Sequence, residues 1–509
     1  MKRLLSLLFA LSLPVLFLSG CWEDELPAEE QSELFPLEEE ASSSTEDNSL
    51  PASFSLPYNP EQSLDPITCP DGIQQTVGSL LFEGLFHLDP QLEPQPVLCS
   101  SWVYDPDALT YTLQLKNDVK FSDGSLLTGK DVTYTLQRAK NSVRYGTRLS
   151  QISHINASDH TVTLTLSYPN TRFPALLDIP IVKAGTEKNA APIGTGPYLL
   201  SFDDSIPQLI SNQIWWQGDH QPVDRIPLAE APDWDTTLYR FTSRDVQLIT
   251  ANLIGKEPIT ATGNILFQDA DTTTFQFIGC NTLREPLNDP ALRKALSISF
   301  NRSTIINAFL SGHGNASQFP VSPISPLYPV DLEQRYSKEA FSEMLSQSAY
   351  TSAKSLTLLV NSENPFKVSI AEFIAKAMTD GGVRVVVKAL PWDEYTTALA
   401  NGSFDLYYGE IRLTADWNLQ PLLGTGGSLN YGRWSNAQTD QLLAAYASAE
   451  DPSAAMESLC RQLQNQAPIF PVCFTATSVL MHPNVLEGLC PTAAEPFYNL
   501  NSCRIHLKK

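Results

Sequence analysis

The sequence predicts a mixed α/β and α+β protein that is built from more than one domain. The chain has 509 residues, of which 42% are hydrophobic and 17% are charged, so a large apolar core can form. A single core rarely grows beyond about 250–300 residues, and about 150 residues per domain gives three domains or two large lobes. The hydrophobic pattern also changes along the chain, from strand-rich before residue 183 to alternating strands and helices after residue 273.

Strands dominate the first of these two regions. Tyr111–Leu115 and Thr161–Leu166 each alternate apolar and polar residues with the period of a half-buried strand. Thr128 and Asp131 have the spacing of a capping box, which predicts that a helix begins here and runs over residues 131–140. Together these elements predict an α+β domain.

Strands and helices alternate in the second region. Asp289 followed by Pro290 is typical of a helix N-terminus, because proline fits the first helical position. Further along, the predicted elements are a strand at 356–360, a helix at 365–380 before Gly381 and Gly382, a strand at 383–387, a helix at 392–401 closed by Gly402, and a strand at 404–408. This order predicts a second lobe with a mostly parallel sheet covered by helices.

The N-terminal segment has the features of an export signal. Two basic residues precede an apolar run over residues 4–18, which is shorter than the roughly 20 residues that a membrane-spanning helix needs. Leu18–Cys21 resembles the lipobox of bacterial lipoproteins, in which the cysteine is lipidated. We therefore predict a lipoprotein signal peptide over residues 1–20 and lipidation of Cys21. A buried N-terminal helix is the alternative.

The segment after Cys21 is strongly acidic. Residues 22–50 contain eleven Asp or Glu residues and no Lys or Arg, within a chain whose formal net charge is −23. A self-repelling polar segment buries too little surface to offset its ordering entropy, so residues 21–50 are predicted to form a flexible tether. The overall negative charge argues against nucleic-acid binding, since such proteins need a basic surface.

Neither the cysteines nor the histidines form a recognisable site. The seven cysteines after Cys21 are odd in number and lack C-x-x-C spacing. This favours buried apolar thiols, and one or two disulfides are compatible with the sequence. The hydrolase patterns G-x-S-x-G and H-E-x-x-H are absent. Residues 124–131 approach a phosphate-binding P-loop, but Asp131 stands where a Ser or Thr hydroxyl must hold magnesium. We therefore expect no catalytic residue, no cofactor and no metal site.

An ordered set of motifs runs through residues 55–475. Two of them are long: Leu109–Gly124 with Leu127–Val132, and Pro192–Tyr198, which contains Gly-Thr-Gly-Pro-Tyr. The others, in chain order, are Leu64–Pro66, Leu81–Leu85, Pro96–Trp102, Asn281 with Pro286–Leu296, Asn301–Arg302, Gly402–Asp405 and Asn430–Asp440. The set resembles the extracytoplasmic solute-binding proteins of bacterial peptide, dipeptide and nickel ABC importers, among them the oligopeptide-binding lipoproteins. Asn301 departs from the family, which usually has Asp at that position.

The resemblance implies a two-lobed, type II periplasmic-binding-protein-like fold with an extra α+β domain on the first lobe. The implied boundaries are 51–84 with 185–272 and 470–509 for the first lobe, 85–184 for the extra domain, and 273–469 for the second lobe. The chain would cross between the lobes near Thr274–Asn281 and Ile469–Phe474, and the ligand would lie between the lobes. The family also implies a monomer in the periplasm or on the outer face of the bacterial membrane, with ABC permease subunits as partners.

The resemblance further implies candidate ligand-binding residues. In the peptide-binding branch, an acidic residue in an Ala-Asp-aromatic segment pairs with the α-ammonium of the peptide. Ala415–Asn418 matches this segment, which makes Asp416 the main candidate, with Trp417 beside it. Arg412 is a candidate partner for a ligand carboxylate, with a solvent-exposed role as the alternative. Arg412 and Leu413 stand in place of the frequent Gly-Trp of the family.

Two aromatic residues complete the candidates. Trp392 lies twelve residues before Phe404, as a pocket-lining tryptophan of the family does, although a core aromatic on an amphipathic helix would have the same position. Tyr145 is a candidate contact to the peptide backbone. A peptide is the expected cargo, and a nickel chelate, a sugar or an opine-like solute are the alternatives. The scarcity of histidine argues against a metal, and an ammonium anchor would not serve an uncharged sugar.

Overall fold

The computed structural model describes residues 50–70, 72–218, 221–255, 264–351 and 354–508. The predicted signal peptide, Cys21 and the acidic segment up to residue 49 lie outside the described residues. In the part of the chain that is described, no helix is both long enough and apolar enough to cross a bilayer.

The described residues form strands and helices along their whole length. The strands are β1 (Leu56–Tyr58), β2 (Phe86–Leu88), β3 (Pro94–Pro96), β4 (Cys99–Asp105), β5 (Thr110–Leu115), β6 (Ile152–Ala157), β7 (Thr161–Leu166), β8 (Tyr198–Asp203), β9 (Ile206–Ser211), β10 (Arg225–Glu230), β11 (Leu248–Ala251), β12 (Leu266–Cys280), β13 (Gly314–Ala316), β14 (Leu356–Asn361), β15 (Val385–Leu390), β16 (Leu406–Arg412), β17 (Ile469–Met481), β18 (Leu486–Glu487) and β19 (Arg504–Ile505). The α-helices are α1 (Ile73–Gly78), α2 (Gly129–Lys140), α3 (Trp234–Thr242), α4 (Pro290–Ser297), α5 (Arg302–Phe309), α6 (Lys338–Ser346), α7 (Pro365–Asp380), α8 (Trp392–Asn401), α9 (Gln420–Leu423), α10 (Ala437–Ala447) and α11 (Pro452–Gln466).

One four-stranded sheet has the strand order β1-β10-β9-β8. Strands β1 and β10 are parallel, and the remaining pairs are antiparallel. The C-terminal segment packs into the same core, where the rings of Phe54 and Phe497 meet edge to face at 6.3 Å. This core therefore joins the beginning, the middle and the end of the described chain.

Two sequence motifs that are distant along the chain contact each other beside this core. The backbone N–H of Gly196 donates a hydrogen bond to the carbonyl oxygen of Leu81 at 3.0 Å. A Cβ on Gly194 would lie 2.1 Å from the same oxygen, and one on Gly196 would lie 2.6 Å from the carbonyl carbon of Leu81. Only glycine fits at both positions, which gives a physical reason for the Gly-Thr-Gly sequence.

Glu83 belongs to the first of these motifs and accepts four hydrogen bonds from neutral groups. The hydroxyl of Thr195 and the indole N–H of Trp216 each bond to one carboxylate oxygen at 2.7 Å. The indole N–H of Trp215 (3.2 Å) and the side-chain amide of Gln217 (3.0 Å) bond to the other oxygen. Burial raises the pKa of Glu83 to about 7, although these hydrogen bonds act in the opposite direction.

A second four-stranded sheet is antiparallel and has the order β4-β5-β7-β6. Strands β5 and β7 confirm the two strands predicted from period-two alternation. Helix α2 contacts β6 and β7. It begins at Gly129, two residues before the predicted start, and the predicted capping box between Thr128 and Asp131 is present. These elements form an α+β unit, which we call the small-sheet domain (β4–β7 with α2).

The largest sheet has seven strands in the order β11-β17-β12-β16-β14-β15, with β13 paired to β17. The predicted helices at 365–380 and 392–401 are confirmed as α7 and α8, and Asp289 caps α4 as predicted. Strands β15 and β16 begin two residues later than predicted. The expectation of a mostly parallel sheet is wrong. Only the pairs β14–β15 and β14–β16 are parallel, because the long strands β12 and β17 add antiparallel neighbours.

Strands β12 and β17 pair antiparallel along most of their length, with a long interruption and a second register shift between Gln276 and Phe277. The ladder breaks between Asp271 and Phe275, where the hydroxyl of Thr272 donates to the carbonyl of Thr475 at 2.6 Å. On one side of this break β17 also pairs with β11, and on the other side β12 also pairs with β16. The interruption at Thr272–Thr274 therefore separates two parts of the sheet.

The seven cysteines in the described part of the chain are in the thiol form, and six of them are buried. Burial raises the pKa of Cys99 to about 11 and that of Cys280 to about 12. The expectation of buried apolar thiols is confirmed for these six side chains, and the disulfides left open by the sequence are not present among the described residues.

The pH dependence of stability tests the environment of Glu83. Its pKa is about 7 in the folded protein and 4.5 ordinarily, so between these values the folded state holds a proton that the unfolded state releases. The free energy of unfolding should therefore fall as the pH rises from about 4.5 to 7, by up to about 3 kcal/mol from this group. Glu83→Gln resembles the protonated carboxyl and should flatten this dependence in urea titrations. An equal slope in the variant would contradict the assignment.

Candidate functional site

Asp416 lies in the loop between β16 and α9 and is 2% exposed. One oxygen of its carboxylate, Oδ1, accepts hydrogen bonds from the hydroxyl of Thr414 and from the backbone N–H of Asn418 (3.3 Å). The other oxygen, Oδ2, accepts from the side-chain amide of Asn170 at 2.8 Å. The hydroxyl of Tyr446 on α10 donates to the backbone carbonyl of Asp416 at 2.8 Å. The loop and the carboxylate are thus held by several neighbours.

Asn170 reaches Asp416 from the small-sheet domain. It follows β7, and its amide nitrogen also donates to the side-chain oxygen of Gln151 at 3.1 Å. Its own side-chain oxygen accepts the backbone N–H of Arg172 (3.0 Å), and its carbonyl accepts the hydroxyl of Tyr111 (2.9 Å). These bonds fix the orientation of the Asn170 amide, so the small-sheet domain presents a donor to the lobe that carries Asp416.

One further hydrogen bond joins the same two parts of the molecule, and an apolar contact reaches the lobe from the turn that precedes the small-sheet domain. The backbone N–H of Thr171 donates to the carbonyl of Ala447 at the end of α10, at 3.0 Å. Leu92, in the turn between β2 and β3, is 4% exposed and belongs to the apolar cluster that contains Trp417 and Phe474. Asp416 therefore lies at a junction between the small-sheet domain and the lobe of the seven-stranded sheet.

Arginines surround this junction. Arg148 is half-buried, forms an ion pair with Asp178, and donates from Nε to the carbonyl of Leu176 at 2.9 Å. Burial lowers the pKa of Arg148 to about 10. The charges of Tyr145 and Asp416 act to raise it, and those of Arg412 and Arg144 act to lower it. Arg148 thus shares one electrostatic environment with Asp416, Tyr145 and Arg412.

The sequence-predicted residues divide into two groups in the structure. Tyr145, Arg412 and Asp416 lie around Arg148: Tyr145 is buried with its ring 5.8 Å from that guanidinium, and Arg412 is exposed at the end of β16. Trp417 is fully buried and meets Phe474 edge to face at 5.8 Å, so its ring belongs to the core. Trp392, the first residue of α8, is 54% exposed and stacks on Tyr395 at 6.0 Å.

Sequence reasoning missed the partners of Asp416. Thr414 lies two residues before Asp416, and no motif in the sequence marks this pair. Asn170, Arg148 and Tyr446 reach the site from other elements, and no spacing in the sequence connects them with Asp416. In the part of the chain that is described, no group of three or more His, Cys, Asp or Glu side chains has an arrangement that could hold a metal ion.

The Asp416 carboxylate has room for one more hydrogen bond. An ionised carboxylate offers about four acceptor positions, and three of those of Asp416 are filled by neutral donors. A buried carboxylate has a strong preference for a positive partner, since a charge-assisted hydrogen bond compensates its loss of hydration. A donor that carries a positive charge would therefore form a stronger bond to Asp416 than its present neutral donors do.

Comparisons with known proteins give a consistent result. The family described as "Bacterial extracellular solute-binding proteins, family 5 Middle" matches residues 93–429 of this chain. The glutathione-binding protein GsiB of Escherichia coli (strain K12) is 24% identical over 424 residues, which are 77% of this chain and 82% of that protein.

Solved structures share the fold. The murein tripeptide-binding protein MppA, in an unliganded open form, has a TM-score of 0.75 at 21% identity, over 90% of this chain and 98% of that chain. A nickel ABC transporter structure from Bacillus halodurans has a TM-score of 0.74 at 19% identity, over 88% of this chain and 98% of that chain. The predicted two-lobed, type II periplasmic-binding-protein-like fold is thereby confirmed.

The hydrogen bond from Thr414 to Asp416 can be tested by its effect on stability. Thr414→Val keeps the shape of the side chain and removes a donor to a buried carboxylate, so the free energy of unfolding should fall by about 1.5–3 kcal/mol. Thr396→Val is the matched control, because that hydroxyl bonds only within α8, and its effect should stay within about 0.5 kcal/mol. Urea unfolding measures both. Equal losses would count against the bond.

Proposed function

Because the chain belongs to family 5 of the bacterial extracellular solute-binding proteins, we propose that it captures a peptide between its two lobes and delivers it to the permease subunits of an ABC importer. The observation that carries this proposal is the buried Asp416 carboxylate at the junction between the small-sheet domain and the second lobe. Two of the relatives described above are named for a tripeptide and for glutathione, which is itself a tripeptide. In this function the ligand is bound and released without chemical change.

Each candidate residue has a role that its surroundings support. Asp416 binds the α-ammonium of the peptide, and Arg412 at the exposed end of β16 binds a carboxylate. Tyr145 contacts the peptide backbone from the small-sheet domain. Trp392 offers a largely exposed ring to an apolar side chain of the ligand. Trp417 acts indirectly, since its buried ring supports the loop that carries Asp416.

The interruption in the long strands supports a hinge close to the anchor. The backbone N–H of Leu413 donates to the carbonyl of Thr273 at 2.9 Å, and the hydroxyl of Thr273 donates to the carbonyl of Leu413 at 2.6 Å. Leu413 lies three residues before Asp416. Hinges are commonly a few strand-end residues that absorb changes in backbone angles, so closure around Thr272–Thr274 would move the loop of Asp416 with it.

A nickel chelate is the second candidate cargo, because the nickel ABC transporter from Bacillus halodurans shares this fold. The two cargoes differ in the chemical group that they present to the Asp416 carboxylate. A peptide presents a free ammonium to the carboxylate, whereas the amine of a chelating ligand is bound to the metal. Dependence of binding on a free amino terminus therefore separates the two.

The proposal includes an anchor on the membrane. Residues 1–20 act as a signal peptide, Cys21 is lipidated, and residues 21–50 tether the binding protein, as a monomer, to the outer face of the bacterial membrane. The sequence of Leu18–Cys21 and the eleven acidic residues of the tether support this part of the proposal. The lipid anchor would keep the binding lobes close to the permease in the membrane.

The role of Asp416 is tested by calorimetry with tripeptides that carry free or acetylated amino termini. Asp416→Ala should weaken the binding of free-amine tripeptides by about 2–5 kcal/mol, because it removes one partner of a buried charge pair. Acetylated tripeptides should bind poorly to the wild type. Asp440→Ala is the matched control in the same lobe, since Asp440 bonds to Thr425 near the surface, and it should leave affinity unchanged. Equal affinity for free and acetylated peptides would contradict the proposal.

The anchor is tested by membrane fractionation of cells that express the full chain. Cys21→Ala should move the protein from the membrane fraction to the soluble fraction, because the lipid is attached to this thiol. Cys490→Ala, which removes a partly exposed thiol near the C-terminus, should stay in the membrane fraction. A Cys21→Ala protein that still pellets quantitatively would contradict lipidation at this position.

A further inference from the structure

The amide of Asn170 occupies the acceptor position on Asp416 that faces the small-sheet domain. Its nitrogen lies 2.8 Å from Oδ2, whereas the two remaining bonds of the carboxylate are local to its own loop. Asn170 is 6% exposed and Asp416 is 2% exposed, so water competes little for either group. The bond joins residues on two different parts of the molecule, and it has the chemistry of the bond that a ligand ammonium would make.

We propose that Asn170 is a built-in competitor of the ligand, which holds the junction closed by donating to Asp416 and must be displaced before an ammonium can take the Oδ2 position that faces the small-sheet domain. This inference rests on the proposed role of Asp416 as the ligand anchor. Its new content is that Asn170, a residue with no role in holding the ligand, sets the apparent affinity and the conformation of the protein without ligand.

The geometry gives Asn170 the properties that a competitor needs. Its amide is held in position by Gln151, and its oxygen is occupied by the backbone N–H of Arg172, so the donor is oriented before the junction closes. A neutral amide binds a carboxylate more weakly than an ammonium does, because only the ammonium adds a full charge. A ligand with a free amino terminus can therefore displace Asn170, and a ligand without one cannot.

The contacts around Asn170 make the closed junction a small interface of its own. The bond from Thr171 to Ala447 and the burial of Leu92 among the apolar residues of the second lobe accompany the Asn170 bond. The Thr171 bond and the Leu92 side chain contribute a backbone hydrogen bond and an apolar contact. Asn170 contributes the contact to a charged group. Ligand affinity is reduced by the fraction of molecules in which the site is so occupied.

Two variants of Asn170 separate competition from simple loss of structure. Asn170→Asp keeps the oxygen that accepts from Arg172 and replaces the amide with a second carboxylate facing Asp416, which opposes closure. Asn170→Ala removes the donor without adding charge. Asn141→Ala is the control, because Asn141 is an exposed residue of the same domain whose amide bonds only to Gln137.

The first measurement is small-angle scattering of the mature chain without ligand. The radius of gyration should be larger for Asn170→Asp and Asn170→Ala than for the wild type and for Asn141→Ala. Circular dichroism and the urea midpoint of each variant check that the domain remains folded. Equal radii for all four folded proteins would overturn the proposal that Asn170 holds the junction closed.

The second measurement uses an equimolar library of tripeptides with free termini, detected by native mass spectrometry and calorimetry. Asn170→Ala should bind these peptides roughly tenfold more tightly than the wild type, since a hydrogen bond to a charged group no longer competes. Weaker or unchanged binding by Asn170→Ala would overturn competition. If no protein binds a peptide while both Asn170 variants still expand, the peptide function fails and the closing role of Asn170 stands.

Discussion

The pairing of β12 with β17 is the interaction on which the rest of the structure depends. These two strands carry the chain through both parts of the seven-stranded sheet, and their antiparallel ladder holds β11 at one end and β16 at the other. The break at Thr272–Thr274 leaves hydrogen bonds intact on both sides, so any bending is confined to a few residues. The hydrogen bonds between Thr273 and Leu413 then place this break next to the loop of Asp416. The longer of the two register shifts in this ladder thus lies beside the loop of Asp416, where the proposed hinge would act.

The sequence predicts the local features of this fold well and the long-range ones poorly. Helix α7 and helix α8 have the predicted bounds and end before the glycines that the sequence marks as their ends, because a helix-terminating glycine acts within a few positions of the last turn. The order of motifs also predicts the two-lobed fold. The mostly parallel sheet is wrong because period and propensity say nothing about which distant strand becomes a neighbour. The same limit applies to the site. Asp416 is found from a short segment, whereas Asn170 becomes its neighbour only through tertiary packing.

In the proposed function, Asp416 combines a structural and a binding task in one carboxylate. Its Oδ1 holds the loop through Thr414 and Asn418, while its Oδ2 faces the small-sheet domain. The division between the two oxygens lets the loop keep its shape whichever partner Oδ2 has. It also explains why a fully buried Trp417 follows directly in the sequence: a loop that must hold a charge in place needs a rigid apolar support on its other side. Under the proposal, Oδ1 positions the loop and Oδ2 contacts the ligand, so the two tasks belong to different atoms of one side chain.

The buried cysteines have a consequence for how the protein reaches its folded state. The seven thiols of the described chain form no covalent cross-link, and burial raises the pKa of Cys99, Cys280 and Cys503 to about 11 or 12. A thiol with so high a pKa is rarely the reactive thiolate at neutral pH. The described residues thus adopt their fold with these thiols reduced. Oxidation of these buried thiols requires local unfolding. The rate at which they react with a thiol reagent therefore reports how often the surrounding structure opens.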